Sequence, residues 1–190
     1  MIVEPILGFA HSLLENAIRP GDAVIDCTMG NGHDTLFLAT LVGAQGRVFA
    51  FDIQQTALEQ TQKLLDEHQA MAQVTLIYDS HAELRTHIPA DLHGQVQAAV
   101  FNLGYLPGGD KGICTAAETT IQAVDALFSI LAPGGLAVLV VYPGHSAGET
   151  EAAHVLDYCS ALPRGLAHVV SYQILNNPNR PPFVIALEKR

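Results

Sequence analysis

Positive charge is scarce in this chain. Its 190 residues include nine Lys and Arg against nineteen Asp and Glu, a formal net charge of −10. Broad, sequence-independent binding to nucleic acid works by neutralising phosphates, so this balance argues against it, though a local basic patch stays compatible. The cations are scattered, with Arg180 and the terminal pair Lys189 and Arg190 as the only late grouping. Composition by itself points to a small-molecule partner. Charge of either sign is sparse at 15% of residues, while 49% are hydrophobic, which excludes disorder and describes a compact globular protein. Long apolar runs are also missing: "GLAVLVVYP" falls far short of the ~20 residues a membrane helix requires. The opening stretch "MIVEPILGFAHSLLENAI" lacks a basic leader and carries Glu4 and Glu15, so it does not read as a signal peptide. No membrane partner is expected. Cys27, Cys114 and Cys159 are odd in number and far apart, which fits reduced thiols in the cytoplasm better than a disulfide framework. The histidines show neither H-x-x-x-H nor H-E-x-x-H spacing and there is no C-x-x-C, so no structural metal is expected.

What is present is an alternation of short β-rich runs and helical patterns. Helices are expected over 5–18, 34–42, 56–69, 82–88, 116–131 and 149–161. Strands are expected over 23–28, 47–53, 74–80, 96–103, 136–143, 168–175 and 183–189. Strands buried on both faces and separated by helices specify an α/β fold with a doubly wound, mostly parallel sheet of seven strands. The last two strands are joined by "NNPNRPP", too short for a crossover helix, so an antiparallel last strand is expected. Without a repeat, low-complexity tract or linker, residues 1–190 read as a single domain.

In such a sheet, ligands sit beyond the carboxyl ends of the strands where strand order reverses. The first strand-to-helix turn is "DCTMGNGHDT" (26–35). Gly30 and Gly32 permit a tight turn and close approach of backbone to ligand, and the following helix N-terminus presents free N–H groups. A dinucleotide fingerprint centred on Gly30 would need glycines where Thr28 and His33 stand, which weakens a nicotinamide-enzyme reading. The turn is similar instead to the acidic-x-G-x-G-x-G loop of class I S-adenosylmethionine-dependent methyltransferases, with Asp26, Gly30 and Gly32 matching and Thr28 in place of the first glycine. The second strand ends "FAFDIQ", placing Asp52 twenty positions after Gly32, where a carboxylate can accept both hydroxyls of a ribose. Gln54 lies just beyond it. The third strand ends "YDSHAEL", which brings Asp79, Ser80 and His81 to the same edge. Capping by Ser80, with Glu83 three residues on, competes with a ligand role.

The fourth strand ends in "FNLGYLPGGDKG". In amino-directed methyltransferases this place commonly carries Asn or Asp, two small or rigid residues and an aromatic. Asn102-Leu103-Gly104-Tyr105 is similar in layout, with Leu and Gly in place of the usual prolines. Methyl transfer from a sulfonium is an in-line displacement, so catalysis is largely positioning and exclusion of water. An amide oxygen can orient an exocyclic amine while an aromatic face packs on the base, and the amine must be neutral to attack. His145 and Asp110 are candidates for handling its proton. The competing reading is a glycine-rich connection in which Asn102 satisfies its own turn.

Taken together, "DCTMGNGHDT", "FDIQ", "FNLGYLPGGDK", "YPGHSAGETEA" and "NNPNRPPFVIALEK" resemble the Putative rRNA methylase family of class I methyltransferases, over essentially the whole chain. That resemblance implies S-adenosyl-L-methionine as cofactor, bordered by Asn31, Asp34, Asp52, Gln54, Ser80 and His81. It implies Asn102 and Tyr105 at the transfer site, with Tyr142, His145 and the Asn177–Pro182 loop on the substrate side. It also implies RNA modification, with the exocyclic amine of 5-aminomethyl-2-thiouridine in the tRNA anticodon loop as acceptor. An unstacked anticodon base suits recognition by stacking and shape, with Lys111, Arg164 and Arg180 as the cations available to phosphates. Methylation of rRNA or of a small-molecule amine, and a non-catalytic nucleotide-binding module, stay open as alternatives. So does the choice between monomer and homodimer.

Overall fold

The computed structural model describes residues 2–110, 112–144 and 146–190. Along the chain lie α1 (Ile6–Ala17), β1 (Ala23–Asp26), α2 (His33–Val42), β2 (Arg47–Asp52), α3 (Gln55–Glu67), β3 (Val74–Tyr78), α4 (Leu84–His87), β4 (Val96–Leu103), α5 (Ala117–Ile130), β5 (Leu131–Val141), α6 (Ser146–Ala161), β6 (Ala167–Tyr172) and β7 (Phe183–Lys189). The strands form one sheet in the order β3-β2-β1-β4-β5-β7-β6. The pairs from β3 through β5 are parallel. β7 slots antiparallel between β5 and β6, as the short "NNPNRPP" connection requires.

Successive residues of a strand face opposite sides of the sheet, so each interior strand supplies two cores. Ile25, Phe51, Phe101 and Leu139 pack with α5 and α6 on one face. Val24, Ala50, Val100 and Val140 pack with α1, α2 and α3 on the other. All four residues of β1 are buried, which explains why the central strand reads as an unbroken apolar run up to its terminal aspartate. Strand order reverses between β1 and β4, and that is where the glycine turn and the Asn102 loop meet.

Several boundaries differ from the sequence expectation: β1 and β3 end two residues early, at Asp26 and Tyr78, α6 begins at Ser146 rather than 149, and two further differences have a physical reason. "APGG" reads as a helix stop, with the fifth strand beginning at Leu136. Helix α5 does end at Ile130, but β5 begins at once: Leu131 pairs with Val96, residues 132–135 bulge outward, and pairing resumes at Leu136 with Ala98. Strand β6 ends at Tyr172 rather than 175, because Ile174 and Leu175 leave the sheet and are exposed.

Candidate active site

The turn after β1 is shaped by backbone conformation before any side chain acts. Gly30 and Gly32 have φ of 51° and 85°, in the left-handed region that side chains disfavour. Gly32 is also pressed against α3: a Cβ there would lie 2.9 Å from Thr61 Cα. The Thr61 hydroxyl in turn donates to the Gly30 carbonyl at 3.1 Å.

Two carboxylates clamp this turn from opposite sides. Asp26 is fully buried and accepts the Thr28 N–H at 3.1 Å and the Thr35 hydroxyl at 2.6 Å. Burial, reinforced by the charge of Asp34, pushes its pKa up to about 7. Asp26 therefore holds the turn to the start of α2 from within. Asp52 accepts the Gly30 N–H and the Gln54 N–H, each at 3.0 Å. Burial raises its pKa against the pull of those N–H groups. Gln54 itself is half-buried.

Asn102, near the end of β4, is held at two points. Its backbone N–H donates to the Thr28 hydroxyl at 2.7 Å, and its side-chain Nδ2 donates to Asp34 Oδ2 at 2.6 Å. Asp34 Oδ1 lies 2.8 Å from Nε2 of His11 on α1. Burial pushes Asp34 upward, but the bonds from His11 and Asn102 outweigh it and its net pKa is lowered. The same bond raises the His11 pKa against the effect of burial. An ionised carboxylate only accepts, so it selects the amino end of the Asn102 amide and leaves Oδ1 as the acceptor end. The half-buried Tyr142 completes this corner, its pKa raised by burial and then by the charge of Asp34.

At the end of β3 the capping role of Ser80 is realised: its hydroxyl accepts the Ala82 N–H at 3.2 Å. His81 is buried, with Nδ1 donating to the Cys27 carbonyl at 3.0 Å and its ring edge-on to Phe101 at 5.6 Å. Its Nε2 is buried with no partner among the described residues. Burial lowers the pKa of His81, so the ring is neutral with Nε2 as an acceptor.

The Gly104–Thr115 loop closes the other side. Tyr105 bridges to Cys114, the Thr115 N–H donates to the Gly104 carbonyl at 2.9 Å, and Asn31 Nδ2 donates to the Pro107 carbonyl at 3.3 Å. The loop is anchored below by Glu151 of α6, a buried carboxylate that accepts the hydroxyls of Thr115 at 2.6 Å and Thr120 at 2.9 Å. Tyr105 is 39% exposed at this rim. A groove of about 260 Å³ bordered by Pro143, Ile174, Leu175, Arg180 and Phe183 lies beyond β5.

The structure thus gathers Asp26, Gly30, Asn31, Gly32, Asp34, Asp52 and Asn102 at the carboxyl ends of β1, β2 and β4. Ser80 and His81 stand at the end of the neighbouring β3. His145 and Lys111 lie outside the described residues. Arg164 and Arg180 do not form one strip: Arg164 precedes β6 and Arg180 precedes the antiparallel β7, so the two stand at opposite ends of this strand pair. Arg180 is moreover paired with Glu149. Sequence reasoning missed His11, Thr28 as an acceptor, and Glu151. Helical periodicity marks the buried face of α1 but assigns no partner to a histidine beside it.

Known proteins resemble this chain in sequence and in fold. The family described as Putative rRNA methylase matches residues 48–188. A chloroplastic tRNA (mnm(5)s(2)U34)-methyltransferase from Arabidopsis thaliana is 40% identical over 188 residues, covering 95% of this chain and 68% of that protein. The crystal structure of a putative rRNA-methylase from Clostridium thermocellum, 39% identical, superposes with a TM-score of 0.96 over 100% of both chains. A putative methyltransferase from Streptococcus mutans in complex with SAH, 33% identical, superposes with a TM-score of 0.88 over 99% of both chains.

Proposed function

Because this chain belongs to the Putative rRNA methylase family, an S-adenosylmethionine-dependent methyltransferase, we propose that it methylates the exocyclic amine of 5-aminomethyl-2-thiouridine at the tRNA wobble position. The observation that carries the reading is the Asn102 amide, fixed by Asp34 so that its oxygen serves as the acceptor end. Such an oxygen can accept an N–H of an amine and so orient it. The relative from Arabidopsis, named for the mnm(5)s(2)U34 position, supplies the substrate class.

The residues present fit the cofactor. The glycine turn brings bare backbone to the sheet edge, the Asp52 carboxylate stands beside it, and the buried His81 Nε2 is an acceptor awaiting a donor. When bound, S-adenosylmethionine supplies an electrophilic methyl group on a sulfonium. Asp52 would accept ribose hydroxyls, Gln54, Ser80 and His81 would border the adenosine, and Asn31 and Asp34 would flank the methionine end, while Asp26 keeps the turn in shape. The Asn102 oxygen accepts an N–H of the substrate and turns the nitrogen lone pair toward the methyl. Tyr105 packs against the base, which limits water at the reacting nitrogen. The nitrogen must be neutral to attack, so an ammonium form would first lose a proton to solvent. The N–C bond would then form as the S–C bond breaks, giving S-adenosylhomocysteine and a secondary ammonium that can release its proton afterwards.

Mass spectrometry of tRNA nucleosides from cells lacking the protein tests the assignment. Accumulation of the unmethylated aminomethyl nucleoside is expected. An unchanged wobble nucleoside, with loss of a methyl group from rRNA instead, would move the substrate to the ribosome.

A further inference from the structure

We propose that His11 is a positioning residue for methyl transfer, acting through Asp34 to fix the orientation of the Asn102 amide. The inference rests on the assignment of Asn102 to the transfer site. His11 and Asp34 both precede the family-matched segment 48–188, and α1 is the element that brings the imidazole in.

Three observations set the geometry. His11 Nε2 lies 2.8 Å from Asp34 Oδ1, and Asp34 Oδ2 accepts Asn102 Nδ2 at 2.6 Å, so one carboxylate joins α1 to β4. The His11 ring is stacked on Phe37 of α2, with centroids 4.2 Å apart and planes 20° from parallel. Phe37 lies three residues after Asp34, on the same helical face. The imidazole is therefore fixed in plane by Phe37 and in direction by the carboxylate.

Both hydrogen bonds run toward Asp34, because a carboxylate offers no donor. An amide has nearly the same shape after a 180° flip, so packing alone cannot distinguish its oxygen from its nitrogen. The carboxylate makes that distinction, provided it holds still. His11 keeps it from rotating and balances its burial. The side chain works as a donor and not as a carrier of protons: Nε2–H donates to Asp34 whether the ring is charged or neutral. The groups facing this pair are Glu15 beside His11, and His33, Asp26 and Tyr142 around Asp34.

The test compares the wild type with His11→Leu, His11→Gln, Asn102→Ala and the double variant His11→Leu/Asn102→Ala. Methyl transfer to aminomethyl-bearing tRNA is followed across pH, and solvent exchange of the Asn102 side-chain NH2 is followed by NMR without substrate. For His11→Leu, kcat is expected to fall roughly ten- to a hundredfold, KM for S-adenosylmethionine to stay within about twofold, and Asn102 NH2 exchange to speed up at least about tenfold. His11→Gln, which still offers an N–H, is expected to keep the wild-type pH profile and recover most of the rate. The double variant is expected to be no slower than Asn102→Ala, since residues acting as a unit are non-additive. A wild-type rate in His11→Leu, or additive losses, would overturn the proposal. So would failure of Gln to rescue together with loss of one limb of the pH profile, which would make His11 a proton carrier. A wild-type rate in Asn102→Ala would remove the transfer-site assignment itself. If no tRNA accepts methyl, the NMR exchange still decides: unchanged exchange in His11→Leu sinks the positioning role, and faster exchange restored by Gln upholds it.

Discussion

Asp52, at the end of β2, accepts the backbone N–H of Gly30 at 3.0 Å, so the second strand holds the turn that follows the first. The carboxylate proposed to receive the ribose is the same one that shapes the loop around the cofactor. Asp52→Ala is therefore expected to weaken binding twice, by removing an acceptor and by loosening the turn. Charge-assisted hydrogen bonds contribute about 1.5–3 kcal/mol. Affinity for S-adenosylhomocysteine should fall at least about tenfold by calorimetry, and an unchanged Kd would remove Asp52 from the site.

Gly32 answers to two constraints at once, a φ of 85° and the 2.9 Å approach to Thr61. Gly32→Ala is expected to destabilise the fold by roughly 2–4 kcal/mol, combining left-handed strain with overpacking. Gly108→Ala is the internal control: φ there is 84°, but nothing lies within 4 Å of the added Cβ. It should cost only about 1 kcal/mol. Urea denaturation of both variants separates close approach from backbone conformation.

Stability should depend on pH through Asp26. Its folded pKa is raised from 3.8 to about 7, chiefly by burial. Between those values the folded state holds a proton that the unfolded state has lost, so this group's contribution is fully present below the unfolded pKa. It is lost as pH rises through the folded one. In thermal melts from pH 4 to pH 8, the wild type should lose stability relative to Asp26→Asn up to about pH 7 and then level off. Parallel curves for the two proteins would mean that Asp26 is ionised throughout.

Glu151 stands behind the acceptor loop without reaching its rim. Its carboxylate accepts two threonine hydroxyls, one from the end of the Gly104–Thr115 loop and one from α5. Glu151→Ala leaves the buried Thr120 hydroxyl and the half-buried Thr115 hydroxyl without this acceptor, at a cost of about 1–3 kcal/mol. Transfer should slow severalfold while S-adenosylhomocysteine affinity holds. Weakened cofactor binding with unimpaired turnover would contradict this role.

Much of this was legible in the sequence, for identifiable reasons. The alternation of buried runs with helical patterns fixes a doubly wound sheet because strands covered on both faces have few other solutions. The twenty-residue interval from Gly32 to Asp52 is legible because the turn, α2 and β2 between them leave little freedom. "APGG" misled because proline and glycine stop a helix and bulge a strand by the same chemistry, and here they do both. His11, Thr28 and Glu151 were hidden because their partners lie on other elements. No local spacing encodes a bond such as His11 to Asp34, across 23 positions, or Thr28 to Asn102, across 74.

Asn102 carries the chemical side of this account, and one measurement addresses it directly. Purified protein is incubated with methyl-labelled S-adenosylmethionine and tRNA carrying the aminomethyl wobble nucleoside, beside Asn102→Ala, and the nucleosides are resolved by mass spectrometry. Label in the methylaminomethyl nucleoside with the wild type, reduced about a hundredfold or more in Asn102→Ala while cofactor affinity is kept, is the result predicted. Equal labelling by both proteins, or label appearing only in rRNA or free amines, would contradict it.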